Sequence, residues 1–397
     1  MADHHRPVGV GTLGVLTGLL FAIGPISVDL SLPALPAMQQ AVGSQGGHVE
    51  LTLTVLFFGL ALTQLFYGAV ADRFGRRLPL LLGLVLYILG ALLGAQAGSL
   101  SALVIARGCQ AVGYGIVIVL IRSAVTDVCD ERSTARVFSV AIMLMSVGAV
   151  VAPALGGLVV THLGWRAVFV TMAAFGGLCL LLTAVALPET QPRERRSRGA
   201  SAAELFSTYG RILANGRFAA FAFVAAGTVA CQFSYNTAGP ALLIEHFGLP
   251  VGTAGLLLSL IALSTAIASQ INVFVLRVVP TEAVLRAAML VLVLACVLLL
   301  LVLLGSWGQV GLVVALLFVI IATPGFVVAN AMAAAISSAG DRAGAASALV
   351  GVLQFVFGTI GSGVVGYFHD PTGVVLGVVM LVFSVGALGV VMARKAA

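Results

Sequence analysis

One acidic and one basic residue lie inside long apolar stretches of this 397-residue chain. Asp29 ends the sequence LLFAIGPISVD, and Arg107 lies in the sequence ARGCQAVGYG. A carboxyl group in a poorly solvated site favours its neutral form, so it can exchange a proton near neutral pH. Ionisable groups inside membrane helices indicate a functional role by default. Asp29 is therefore a candidate proton carrier, and the alternative is a structural hydrogen bond close to Pro33.

The helices that must position these residues follow from the composition. Only 9% of the residues are charged and 60% are hydrophobic, whereas a soluble domain carries about 25% charged residues. Apolar runs such as Leu78 to Ala97 and Ala287 to Leu304 match the roughly 20 residues that a membrane-crossing helix needs. The runs lack the alternating pattern of a β-barrel strand. The sequence therefore predicts an all-α polytopic membrane protein.

The apolar runs predict twelve transmembrane helices in two groups of six. Residues 1–187 form the N-terminal six-helix half, residues 188–217 form a linker loop rich in arginine, proline and serine, and residues 218–397 form the C-terminal half. The predicted spans are 8–32, 49–71, 78–97, 101–122, 137–161, 166–187, 218–242, 252–277, 284–304, 309–332, 344–367 and 373–393.

The distribution of arginine and lysine predicts the orientation of the chain. If the N-terminus is cytoplasmic, 17 of the 20 basic residues lie in cytoplasmic segments, and only Arg166 lies in a loop on the other side. Cytoplasmic loops carry the excess of basic residues in membrane proteins. Both termini are therefore predicted to be cytoplasmic. The net charge of +6 follows from this topology and requires no nucleic-acid partner.

The sequence GAVADRFGRR, between the second and third spans, concentrates four charges in a short loop. It resembles the signature loop of the major facilitator superfamily, whose two six-helix halves surround a central cavity. Asp72 lies at the C-terminal end of its own helix, where a negative charge is unfavourable, so it should face a nearby arginine or the start of the eleventh span. The resemblance implies a cytoplasmic latch between the halves; the alternative is that the arginines only enforce topology. The latch residues are Gly68, Asp72, Arg73, Gly75, Arg76 and Arg77, with Asp127 as an additional member.

Three further sequences resemble a branch of this superfamily. SVGAVVAPALGG in the fifth span is similar to its antiporter motif, with Gly148, Pro153, Gly156 and Gly157; ordinary glycine-rich helix packing is the alternative. GPISVDLSLPALPAM (24–38) and AGAASALVGVLQFVFG (343–358) are similar to the bicyclomycin- and chloramphenicol-resistance branch (Bcr/CflA type). The resemblance implies a drug:proton antiporter of the bacterial inner membrane. The chain departs from the branch at Ser31, where an aromatic residue is usual, and the loop between the eighth and ninth spans lacks a clean second signature.

Arg107 is the predicted partner of Asp29. With Gln110 and Gly113 it resembles the superfamily motif of the fourth span. At 1.5 Å per residue, Asp29 and Arg107 are predicted to lie about 5–10 Å from the same membrane boundary. A positive neighbour stabilises the ionised carboxylate, so separation of this pair could couple protonation to movement.

Polar residues within the apolar spans predict the substrate cavity. A few polar groups in an apolar cavity suit a neutral, moderately hydrophobic molecule, although each group alone could instead form a hydrogen bond between helices. The candidates are Tyr114, Gln232, Tyr235, Asn236, Gln270, Asn272, Asn330 and Gln354.

Three functions remain open at this point. The first is proton-coupled export of small antibiotics, and the second is export of an endogenous metabolite such as an amino acid or a sugar. The third is a passive channel or facilitator, which would not need Asp29 or the antiporter motif. No nucleophile–base pair, metal-ligand spacing or phosphate-binding loop is present, so an enzyme is not expected. The expected partners are a small-molecule drug, protons as the coupling ion and the lipid bilayer, with the chain acting as a monomer and without a cofactor or metal.

Overall fold

A computed structural model describes residues 9–42, 48–191, 202–305 and 309–393. These residues form helices and connecting loops, without a strand in the described ranges. The α-helices are α1 (Val10–Val28), α2 (Leu35–Val42), α3 (Leu51–Phe74), α4 (Arg77–Ala95), α5 (Leu100–Val128), α6 (Glu131–Leu163), α7 (Trp165–Ala186), α8 (Ala202–Leu213), α9 (Gly216–Ala241), α10 (Val251–Val275), α11 (Thr281–Leu304), α12 (Val310–Ser338), α13 (Ala343–Phe368) and α14 (Val374–Ala393).

Within the described residues, eleven segments are long and apolar enough to cross a membrane. The α3 helix, with 24 residues, contributes a shorter apolar segment, Leu51–Leu65. The predicted all-α polytopic architecture is confirmed, whereas the count of twelve spans stays a prediction.

The first span differs from its predicted form. It was expected to end at residue 32, but α1 stops at Val28, a 3-10 helix covers Asp29–Ala34, and α2 continues the span to Val42. Pro33 cannot donate a backbone hydrogen bond. The hydroxyl of Ser31 donates to the carbonyl of Val28 at 2.7 Å, which competes with regular helical hydrogen bonding. Asp29 therefore lies at a break within the span, deeper than the predicted 5–10 Å from its end.

The transmembrane helices pack as two groups. Helices α1 and α3–α7 contact one another, as do helices α9–α14, and the main contacts between the groups are α3 with α13 and α6 with α10. The segment predicted as the linker loop contains the amphipathic helix α8, which packs on α9 and α13. The division of the chain at residues 187 and 217 stays a prediction.

Contacts between the two groups join them at one end of the bundle. We call the end that carries the α3–α4 loop, with Arg76 and Arg77, the basic end, and the other end the closed end. Near the closed end, the hydroxyls of Thr54 and Ser362 are 3.0 Å apart. The rings of Phe57 and Phe233 stack with centroids 3.9 Å apart. These contacts hold α3 against α9 and α13 at this end.

Candidate functional site

Asp29 lies between the two groups of helices, at the break in the first span. Its 3-10 segment contacts α6, α9 and α10, and its side chain is half-buried. Two residues along an α-helix correspond to a rotation of about 200° around its axis, so their side chains lie on nearly opposite sides. Ser27 accordingly faces α4, with its hydroxyl 2.8 Å from that of Tyr87, whereas the 3-10 segment that begins at Asp29 contacts α9 and α10 of the other group.

Arg107 is fully buried within the N-terminal group. Its Nη1 donates to the carbonyl of Ser27 at 2.9 Å and to Oε1 of Gln110 at 3.1 Å, and its guanidinium lies 4.8 Å from the centre of the Phe169 ring. The other two guanidinium nitrogens, Nε and Nη2, are buried without a hydrogen-bond partner in the described structure.

The predicted ion pair between Asp29 and Arg107 is therefore wrong for this conformation. The two residues do lie at similar depth, because Arg107 bonds to Ser27, two residues before Asp29. Arg107 bonds instead to the backbone carbonyl of Ser27, and Asp29 begins the 3-10 segment, which contacts α9 and α10 of the other group. Similar depth in two helices does not fix the direction in which either side chain points.

The signature loop is held by contacts within the N-terminal group. Arg76 donates from Nε to Oδ2 of Asp127 at 3.0 Å and from its backbone N–H to Oε1 of Glu189 at 2.9 Å. Arg77 donates to the carbonyl of Ala184 at 2.6 Å. Gly75 has a φ of 83°, a left-handed conformation that favours glycine.

These contacts tie the beginning of α4 to the ends of α5 and α7. Sequence reasoning missed Glu189, although the sequence PET directly follows the sixth apolar run. Gly68, Asp72 and Arg73 belong to α3, but their side chains lie outside the described residues. The predicted contact of Asp72 with the start of α13 therefore stays a prediction.

The antiporter motif lies where α6 meets both the first span and α10. A Cβ atom on Gly156 would overlap the carbonyl of Leu30, next to Asp29, and one on Gly148 would touch Ala22 of α1. Gly157, one residue on, packs against Gly255 of α10. The small residues of this motif thus bring three backbones close together.

Pro153 is also part of this contact. Its carbonyl lies 2.7 Å from the position of a Cβ on Gly255. The next backbone N–H, that of Ala154, donates to the hydroxyl of Ser259 on α10 at 2.9 Å. Proline disturbs the hydrogen bonds of its own helix, and here a group from the opposite half takes up one of the donors.

Three of the predicted cavity residues, Tyr114, Asn272 and Asn330, instead make contacts between helices. Asn330 donates to Oδ1 of Asn272 at 3.0 Å, so this buried pair joins α12 to α10. The hydroxyl of Tyr114, itself buried, donates to the carbonyl of Phe21 at 3.3 Å. These residues therefore form hydrogen bonds between helices, which was the alternative to a role in the substrate cavity.

The remaining predicted cavity residues differ in exposure. Tyr235 and Asn236 are buried, Gln232 and Gln354 are half-buried, and Gln270 is exposed. The hydroxyl of Tyr235 and Nε2 of Gln354 are buried atoms without a hydrogen-bond partner in the described structure. These two groups are therefore free to bond to a ligand or to water.

Two clefts in the described structure lie away from these residues. One, of about 250 Å³, is at the basic end between α9, α11 and α14 and includes Arg217, Glu282 and Arg286. The other, of about 520 Å³, lies between α6 and α10 and includes Leu158 and Leu256. Neither contains a predicted cavity residue, so the cavity assignment stays a prediction.

Arg122 is a second basic residue of the fourth predicted span. It lies within α5, six residues before the end of that helix. Its exposed guanidinium lies 5.5 Å from the centre of the Phe21 ring on α1. A guanidinium over an aromatic face is a favourable arrangement, which holds this charge against the first span.

Comparison with known proteins identifies the family. Residues 17–362 match the family described as Major Facilitator Superfamily. The chain belongs to this superfamily. It is therefore a multi-pass membrane transporter of small molecules, and not an enzyme.

Relatives in bacteria narrow the resemblance. The chain is 30% identical to the uncharacterized MFS-type transporter YdgK of Bacillus subtilis, over 96% of this chain and 95% of that protein. It is 27% identical to a bicyclomycin resistance protein homolog of Haemophilus influenzae, over 86% of each chain. It is also 27% identical to the multidrug resistance protein MdtL of Shewanella oneidensis, over 92% of this chain and 90% of that protein. The predicted resemblance to the drug-resistance branch is confirmed.

Solved structures share the fold. A bacterial homolog of the human lysosomal transporter Spinster superposes with a TM-score of 0.76 at 16% identity, covering 98% of this chain and 96% of that one. The D-xylose–proton symporter superposes with a TM-score of 0.72 at 13% identity, covering 95% of this chain and 97% of that one. These likenesses confirm the major facilitator fold.

Proposed function

We propose that this transporter exports small, moderately hydrophobic antibiotics, of the chloramphenicol, florfenicol or bicyclomycin kind, in exchange for protons. The observation that carries the proposal is the position of Asp29. This half-buried carboxyl lies at a break in a membrane span, between the two groups of helices. Relatives named for bicyclomycin and multidrug resistance support the class of substrate.

The orientation of the chain forms part of the proposal. We place the basic end, and with it both termini, in the cytoplasm, because 17 of the 20 basic residues would then lie on that side. The closed end then faces away from the cytoplasm. Alternating access would open the closed end by rocking one half against the other.

Coupling would follow from the contacts of Asp29. An ionised carboxylate is costly in a poorly solvated site, so protonation of Asp29 would favour conformations in which it is enclosed. Opening of the closed end separates α6 from α10 and moves the 3-10 segment, because Gly156 of α6 abuts Leu30. The solvation of Asp29 would thereby change with the conformation, which is the requirement for proton coupling.

Transport in liposomes tests this proposal. Purified protein is reconstituted, a proton gradient is imposed, and accumulation of labelled chloramphenicol or florfenicol against its own gradient is measured. We expect the wild type to accumulate drug and Asp29→Asn to bind drug without accumulating it, since asparagine cannot exchange a proton. Glu282→Gln is a matched control, because Glu282 is an exposed acidic residue paired with Arg286.

The possible results separate the hypotheses. Uphill transport by Asp29→Asn at the wild-type rate would exclude Asp29 as the proton carrier. Flux that only dissipates a drug gradient in the wild type would favour a passive facilitator. A susceptibility panel in a host that lacks its own efflux pumps would then identify the drugs.

Export of an endogenous metabolite, such as an amino acid or a sugar, is the second candidate. Arg122 favours it, because an exposed guanidinium within a transmembrane helix could pair with the carboxylate of an amino acid. Labelled amino acids and sugars should therefore be run in the same liposome assay. Faster transport of an amino acid than of any drug, lost in Arg122→Gln, would support this candidate.

A further inference from the structure

Two histidines and a glutamate meet at the closed end of the transporter. His48 and Glu50 lie just before α3, in the N-terminal group of helices, and His369 directly follows α13, in the C-terminal group. Nδ1 of His369 is 2.8 Å from Oε1 of Glu50. The imidazole rings of His48 and His369 are stacked with centroids 5.0 Å apart. The cluster thus spans the boundary between the two halves.

Two atoms of this cluster lack partners. Oε2 of Glu50 and Nδ1 of His48 are buried and form no hydrogen bond in the described structure. Glu50 itself is only 5% exposed. Buried polar atoms are normally satisfied, and an unpartnered carboxylate oxygen is especially costly. Two such atoms in one cluster indicate that a ligand belongs there.

We propose that His48, Glu50 and His369 bind a divalent transition-metal ion, with Zn²⁺ as the best fit. Two imidazoles and one carboxylate form a common set of three protein ligands for zinc, with water in the fourth position. Imidazole ligands favour zinc, copper or nickel over magnesium and calcium. One ligand atom from each residue lies within 4.8 Å of the other two.

The geometry requires only side-chain adjustment. Zinc–ligand bonds of about 2.0–2.2 Å place tetrahedral ligand atoms roughly 3.3–3.5 Å apart. The largest separation here, 4.8 Å, must therefore shrink by about 1.4 Å, which rotation of the histidine side chains can supply. His369 is about a quarter exposed, so an ion can reach the site from the surface.

The surrounding charges also suit a cation. Glu245, four residues beyond the end of α9, interacts electrostatically with Glu50 and His369. Asp370 does not compete as a ligand, because its oxygens accept hydrogen bonds from Thr372 and from the backbone of Val375. Asp370 is thus not the fourth ligand, a position that water takes in catalytic zinc sites.

The ion would control the conformation of the transporter. Because the ligands come from both halves, the complete site exists only while this end is closed. A ligand that binds one conformation stabilises it by the factor 1 + [L]/Kd. Zinc at ten times its dissociation constant should therefore reduce opening of this end about elevenfold. This consequence, unlike the binding itself, rests on the proposed alternating access.

Direct binding measurements test the site. The full chain, purified through an affinity tag without histidines, is titrated with ZnCl₂ against a zinc-sensitive dye in detergent. We expect one tight site in the wild type and at least tenfold weaker binding in His48→Ala, Glu50→Gln and His369→Ala. His162→Ala is the matched control, because His162 is an exposed histidine near the end of α6. His369→Gln provides a second variant if alanine impairs folding, which thermal unfolding would reveal.

The outcomes are distinct from those of the transport experiment. Wild-type zinc affinity in all three variants, or no tight site in the wild type, would overturn the proposal. Binding is measured without drug or proton gradient, so loss of the proposed drug export would leave it intact. Conversely, an absent metal site would leave export untouched. Ser362→Cys, in a chain whose five native cysteines are replaced, reports the closing effect, because zinc should slow alkylation at this buried position unless His369 is replaced.

Discussion

Gly255→Ala should open the closed end of the bundle. A Cβ at this position would lie 2.7 Å from the carbonyl oxygen of Pro153 and 3.1 Å from Cα of Gly157. Ordinary carbon–oxygen contacts begin at about 3.3 Å, so α6 and α10 must separate by roughly 0.6 Å. Both are backbone atoms of α6, so a rotamer change cannot relieve the overlap.

The size of this effect can be estimated from the cost of adding a carbon atom to a packed contact. One extra carbon in a well-packed contact costs about 1–3 kcal/mol. If only the closed conformation contains this contact, its population relative to the open one should fall by about 5–150-fold. Gly177→Ala on α7 is the matched control, because a Cβ there meets nothing within 4 Å. Alanine in place of a helical glycine should stabilise that variant by up to about 1 kcal/mol.

Cysteine labelling measures the shift. Ser362 is fully buried at the closed end, so Ser362→Cys, in a chain whose five native cysteines are replaced, should react slowly with a charged maleimide. We expect Gly255→Ala to accelerate labelling by about 5–150-fold and Gly177→Ala to leave it unchanged. Equal labelling rates in the two variants, with both correctly folded, would refute the role of this glycine contact in closure.

Three further predictions concern buried and loop residues. Arg107→Lys should lower both thermal stability and transport, because an ammonium group cannot reproduce both the hydrogen bond to Ser27 and the packing of the planar guanidinium on the Phe169 ring. A melting temperature equal to that of the wild type would contradict this. Asn330→Ala should lower the free energy of unfolding by about 1–3 kcal/mol, because it leaves the amide of Asn272 unpaired; thermal unfolding measures this loss. A variant of wild-type stability with an altered drug profile would instead support a role of Asn330 in the cavity. Asp72→Asn should insert and fold normally but strongly reduce export in liposomes, and wild-type export would leave only a topological role for the loop.

Hydrophobicity predicted most of the helices closely. The sixth span was predicted at 166–187 and α7 covers Trp165–Ala186; the eleventh was predicted at 344–367 and α13 covers Ala343–Phe368. Long apolar runs can only be satisfied by crossing the bilayer as helices. Some helices are longer than predicted because their ends are polar: α6 begins at Glu131 and α12 ends at Ser338. Such a helix continues into water, beyond the apolar residues from which its span was predicted.

The site was less predictable, because it depends on side-chain direction and on distant contacts. The similar depth of Asp29 and Arg107 could be predicted from their positions in the sequence. The side of the helix could not: Arg107 bonds to Ser27, and Asp29 lies about 200° further around the helix axis. Asn330 and Gln354 look alike as polar residues in apolar runs, yet only Asn330 has a partner helix that offers a matching amide. No local spacing could reveal the pair of Glu50 and His369, whose positions differ by 319 residues.

The glycines of the antiporter motif connect closure of the bundle to the carboxyl group. Gly156 abuts the carbonyl of Leu30, which follows Asp29, and Gly157 abuts Gly255 in the other half. Because Gly156 holds the 3-10 segment against α6, movement of α6 away from α10 would also carry that segment away from its contacts with α9 and α10. A movement between the halves is thus transmitted to Asp29 within a single turn of α6, without an intervening side chain that could absorb it.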